Sequence, residues 1–185
     1  MPYYKASSII KQSLPFFLFL LVLSLTTGNV LNTFVDDVLY KYIFLLVVLP
    51  GFISAIGDTG SVFVSRLTSH IFIGELDSSF RPFRILFSNI IGLLLTTLTH
   101  LLAISGIAYI VSLIFAIGVD LVVIVAIFLL SGFSSVLILM FFGIITTYLT
   151  YKYGLNPDNF TSPLMGNLGD LVGSATLILF ALLLI

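Results

Sequence analysis

Long uncharged apolar runs, separated by short polar segments, divide this chain into five candidate membrane-spanning helices. The first run extends from about Leu14 to Leu31 and is interrupted by Asn32-Thr-Phe-Val-Asp36-Asp37 and Lys41. The second extends from about Tyr42 to His70 and contains Pro50 and the segment Gly57-Asp58-Thr59-Gly60. A polar connection from Gly74 to Arg84 follows, then an expanse from Ile85 to Tyr151 whose only acid is Asp120. The last run starts near Asn156-Pro157-Asp158 and reaches the C-terminus. One crossing takes about 20 apolar residues, or about 25 with tilt. The expanse is too long for one crossing and too short for four, so two long tilted helices with a break near Gly118-Val-Asp120 fit it. The expected fold is therefore all-α and integral to the membrane: a short segment over residues 1–12, then a single five-helix transmembrane domain over 13–185.

Composition agrees with this reading. The 185 residues are 59% hydrophobic and 8% charged, with mean hydropathy +1.26, against about 25% charged residues in soluble domains. The lack of cysteine excludes disulfides and thiolate metal sites. Only two histidines occur, His70 and His100, too far apart to indicate a zinc cluster. With a net charge of −1 and no basic patch, nucleic acid is not an expected partner; the lipid bilayer is. Lys5 and Lys11 before Leu14–Leu25 imitate a secretory signal, but the run continues toward Val30 without a small-x-small cleavage site. It reads as an uncleaved first helix. Placing the N-terminus inside puts Lys5, Lys11, Arg66, Arg81, Arg84 and Lys152 on the cytoplasmic side, six of the seven basic residues. The expectation is a multi-pass protein of the cell membrane, N-terminus in and C-terminus out.

Two acids stand out within the apolar runs, Asp58 and Asp170. A carboxylate at bilayer depth costs about 2.5–3.5 kcal/mol on insertion scales and is usually retained where it faces a polar cavity and handles an ion, a proton or a substrate. Each follows a glycine and lies downstream of a proline, as Pro50-x6-Gly57-Asp58 and Pro163-x5-Gly169-Asp170. The second and fifth spans run antiparallel, so the pattern resembles the inverted, interrupted helices of transporters that meet at a midplane site. Gly57 and Gly60 either let the backbone unwind or let a neighbouring helix approach closely. Asn167, Gly173 and Ser174 lie one turn from Asp170 and form a small, polar stripe around it. The structural alternative pairs Asp170 with Arg66 or His70. Carboxylates, amides, hydroxyls and carbonyls are oxygen ligands and suit hard cations, Mg²⁺ above all. Asp36, Asp37 and Asp120 are either a cation-attracting outer rim or a solvated loop face. His100, amid Thr96, Thr97 and Thr99, is expected to bond a carbonyl of a neighbouring helix rather than to line a path.

Two segments carry a family resemblance: Gly57-Asp58-Thr59-Gly60-Ser61 through Ser65-Arg66-Leu67-Thr68, and Asn156-Pro157-Asp158-Asn159 through Ser162-Pro163 to Leu168-Gly169-Asp170-Leu171. On these the chain resembles the membrane domain of the MgtE family of magnesium channels and transporters, in particular the eukaryotic solute-carrier branch and single-domain prokaryotic relatives. The resemblance implies a homodimer or tandem pseudo-dimer with the pore on the two-fold axis. It implies a hydrated divalent cation as cargo, bound by the fifth-helix aspartate, here Asp170, with the second-helix stretch Gly57-Asp58-Thr59-Gly60 contributing to the same path; Asn167, one turn from Asp170, is a further candidate ligand from its position alone. Asp58 departs from the usual asparagine, and cytosolic regulatory domains of the bacterial channels have no counterpart in this sequence. The expected activity is Mg²⁺ or related divalent-cation transport, not enzymatic. The alternatives are a non-conducting subunit of a heteromeric transporter and, remotely, an intramembrane aspartyl protease, supported only by two Gly-Asp carboxylates that could share a proton, since Gly166-x-x-Gly169-Asp170 departs from the Gly-x-Gly-Asp pattern such a protease shows.

Overall fold

In lipid every backbone N–H and C=O must be satisfied within the protein, which leaves the helix as the local solution for an isolated apolar run. The computed structural model describes residues 6–77, 80–155 and 157–185, and the side chains within them apart from those of residues 6–9, 12 and 157–159. Each run forms one helix: α1 (Ala6–Thr33), α2 (Ile43–Phe72), α3 (Phe83–Ile114), α4 (Leu121–Lys152) and α5 (Pro157–Leu184). All five are long and apolar enough to cross a bilayer, and no strand occurs among the described residues. A π-helical turn, Val35–Leu39, joins α1 to α2 and carries Asp36 and Asp37 on its exposed side. The break expected near Gly118-Val-Asp120 lies between the end of α3 at Ile114 and the start of α4 at Leu121. Gly74 and Gly154, at φ 78° and 64°, sit two residues past the ends of α2 and α4, where a left-handed residue stops a helix.

α2, α4 and α5 pack against one another, α3 closes against α2 and α4, and α1 packs, among the described residues, on α5 and the π-helical turn. The central core contains Phe44, Phe52 and Phe63 of α2, Phe128 and Leu139 of α4, and Met165 of α5. α1 buries a narrow stripe, Ser13, Leu20 and Thr27, and sets the ring of Phe16 against that of Phe160 of α5, tilted, with centroids 5.0 Å apart. Apolar surfaces gain little by associating within lipid, so helix contact relies on close packing and hydrogen bonds at small residues. α4 shows this best. Gly132 lies beneath Leu101, a Cβ on Gly143 would stand 2.9 Å from Val64 Cγ1, and Ser135 meets Thr176 of α5 at 2.6 Å.

The expectation of interrupted helices is not met. α2 stays helical through Pro50 and Gly57–Gly60, and α5 through Pro163. A proline frees a single carbonyl, which a bundle tolerates, and the glycines are held helical by a partner packed against them. α5 begins at Pro157, so Ser162-Pro163 lies inside the helix.

Candidate functional site

The glycines of α2 and α5 face each other. A Cβ on Gly57 would lie 3.2 Å from the Gly166 carbonyl oxygen, and one on Gly169 would lie 2.6 Å from the Gly57 nitrogen. Either side of this crossing, Gly60 packs on Met165, Gly173 approaches Ile53, and the Ser61 hydroxyl donates to the Ser162 carbonyl at 3.1 Å. Contacts rise along α2 as they fall along α5, so the pair is antiparallel. This geometry explains the Gly-Asp dipeptide. Successive helical residues are about 100° apart, so a glycine in the contact seam sets the following residue on its flank. Antiparallel helices are related by a two-fold perpendicular to their axes, which carries a flank of one onto the same flank of the other. Two Gly-Asp units therefore deliver both acids to one side of the seam.

That side is a cleft of about 480 Å³ lined by Pro50, Ile53, Ser54, Gly57 and Asp58 of α2 and by Pro163, Gly166, Asn167 and Asp170 of α5. Asp58 lies fifteen residues from Ile43 and fourteen from Phe72; Asp170 lies thirteen from Pro157 and fourteen from Leu184. Both acids thus occupy the midpoints of their helices. Asp58 is exposed and Asp170 half-buried. Among the described residues neither carboxylate has a hydrogen-bond or ion-pair partner; Ser174 donates only to the Asp170 backbone carbonyl, at 2.5 Å. Arg66 instead donates through Nε to Asn89 Oδ1, and His70 pairs with Glu75, both at 2.6 Å, so the structural pairing of Asp170 with either is absent.

The structure brings Asp58, Asp170, Gly57 and Asn167 together but sets Thr59 apart. Thr59 is buried, and its hydroxyl donates to the Ala55 carbonyl of its own helix at 2.8 Å. Asn167 donates through Nδ2 to the Pro163 carbonyl, and its Oδ1 accepts from Ser24 of α1 at 2.6 Å. Ser24 was not singled out in the sequence: a lone hydroxyl in an apolar run gives no sign of its partner. His100 is exposed on α3 and, among the described residues, has no hydrogen bond, contrary to the expected helix carbonyl. The side chains of Asn156 and Asp158, part of the segment that carries the family resemblance, lie outside the described ones.

The profile of the MgtE divalent cation transporter family matches residues 49–180, from the second turn of α2 to near the end of α5. The chain belongs to the MgtE family. No curated protein matches it closely enough to add to this. The MgtE match covers both Gly-Asp units and the whole cleft, and it makes this a multi-pass transporter of divalent cations rather than an enzyme. It removes the protease reading, since MgtE proteins move ions and do not cleave peptides.

Proposed function

We propose that this MgtE-family chain carries Mg²⁺ across the cell membrane as the hydrated ion, held at mid-bilayer depth by Asp170 with Asp58 and Asn167 beside it. The observation that carries this is the pair of carboxylates without partners among the described residues, at the midpoints of two helices, facing one cleft. Carboxylates left unpaired at such depth are stabilised by a cation that visits them. Mg²⁺ releases water reluctantly and is commonly held by one or two carboxylates through its own hydration shell. Six waters occupy about 180 Å³ at about 30 Å³ each, well within the cleft of about 480 Å³. Gly57 serves the site by its missing side chain, which lets α5 approach. The cleft is open along one side of the single chain, and a second copy across a two-fold axis would close it and bring four acids to one path.

Reconstitution of the purified chain alone in liposomes tests this. Uptake of Mg²⁺ in preference to Mn²⁺, Co²⁺ and Ca²⁺ is expected; no flux of any divalent cation would sink the reading of a self-sufficient transporter. Asp58→Asn restores the amide that the family resemblance leads one to expect there. It should raise the half-saturating Mg²⁺ concentration several-fold and leave maximal uptake near the starting level. Loss of all uptake in this variant would make Asp58 an indispensable ligand.

A further inference from the structure

A second cleft, of about 650 Å³, opens between the end of α2 and the start of α3, away from the acidic site. Its polar lining is Arg66, His70, Arg84, Ser88 and Asn89, and its apolar lining is Pro82 and Ile85. Its charge is basic. Glu75 is paired with His70, which leaves two guanidinium groups facing the cavity without a counter-charge in its lining. Arg66 is fixed by its Nε bond to Asn89 Oδ1, and Asn89 is fixed in turn by donating to the Ile85 carbonyl at 2.9 Å. The planar group is thereby oriented with its terminal nitrogens free of hydrogen bonds among the described residues. Arg84, the second residue of α3, adds a second guanidinium beside the first turn of that helix, where the helix dipole favours an anion.

Depth and surroundings say which anion. Arg66 lies six residues before the end of α2 and Arg84 one residue after the start of α3, so the cleft sits where the spans leave the hydrocarbon. The face of α3 that begins at Arg84 and Ser88 continues toward the bilayer centre as Ile91, Leu95 and Leu102, all exposed. A free phosphate would use only the basic mouth. A phospholipid would use both parts, its phosphate on the guanidiniums and an acyl chain along that apolar face.

We propose that this cleft binds the phosphate headgroup of an anionic phospholipid, with Arg84 and Arg66 as its ligands. Basic pockets between spans at the membrane surface are suited to such headgroups, at about 1 kcal/mol per basic residue. The arginine fork matches two phosphate oxygens at once.

The test is lipid retention by the purified chain in detergent, read by native mass spectrometry after addition of phosphatidylglycerol or phosphatidylcholine. Phosphatidylglycerol is expected to be retained over phosphatidylcholine, and Arg84→Gln to weaken that retention about fivefold. Lys152→Gln, which removes the same charge at the end of α4, serves as the control and should leave it unchanged. Arg84 makes no hydrogen bond among the described residues, so its replacement leaves the fold intact. Equal loss in both variants, or equal retention of the two lipids, would overturn the proposal. Displacement of the lipid by millimolar inorganic phosphate would overturn it too, in favour of a small-anion site.

Discussion

Replacing Asp170 by asparagine is expected to bring Mg²⁺ uptake down to the background of empty liposomes while the fold survives. Asparagine has nearly the same shape, and the one hydrogen bond recorded at this position, from Ser174, goes to the backbone carbonyl. Only the charge is lost. Two unit charges about 4 Å apart attract by about 1 kcal/mol in bulk water and about 4 kcal/mol at an effective dielectric of 20. A divalent ion doubles both figures, so a carboxylate about 4 Å from the ion contributes about thirtyfold in binding in a water-like cleft, and less where it stands farther off. Asp170 is half-buried where Asp58 is exposed, which makes its charge the stronger of the two. The measurement is Mg²⁺ uptake alongside thermal unfolding of the same preparation. Full uptake in a well-folded Asp170→Asn protein would remove Asp170 from the pathway.

The substitution Gly169→Val should do the reverse, damaging the architecture first. A Cβ at this position would meet the Gly57 nitrogen at 2.6 Å and the Gly57 Cα closer still. The obstacle is backbone, which cannot rotate aside as a side chain can. The helices must separate, at a cost of at least about 1–3 kcal/mol, the range for overpacking in a tight interior. Separation also breaks the seam that sets the two acids on one flank, so transport should fail even in the fraction that folds. Gly51→Ala is the matched control, because a Cβ there meets nothing within 4 Å, and alanine improves helix propensity by about 1 kcal/mol. A clear drop in the unfolding temperature for Gly169→Val, with none for Gly51→Ala, is expected. Equal stability of the two would show that α2 and α5 do not cross at these glycines.

Much of this protein was legible in its sequence because the bilayer is a demanding solvent. Runs such as Leu14–Leu31 and Ile85–Tyr151 have no stable form in lipid except the helix, and length then sets the number of crossings. An acid in such a run is costly enough to mark itself, as Asp58 and Asp170 do. Sequence failed wherever the outcome depended on what lies across a helix contact. Pro50 and Gly57–Gly60 carry the same helix-weakening signal whether the segment unwinds or packs, and a facing α5 decided that it packs. Thr59 and Asn167 are both polar neighbours of an acid, yet their positions around the helix turn one into the protein and the other toward the cleft. His100 looked set for a neighbouring carbonyl, but among the described residues no helix lies against that face of α3.

By itself the sequence determined five spans, their alternating directions and a Gly-Asp unit within each of two of them, since hydropathy, length and the cost of a buried charge are local properties. Only the tertiary structure decided that the two acids share one cleft. That follows from the glycine seam between antiparallel α2 and α5: the same dipeptides on parallel helices would have left the acids on opposite flanks, each facing a different surface.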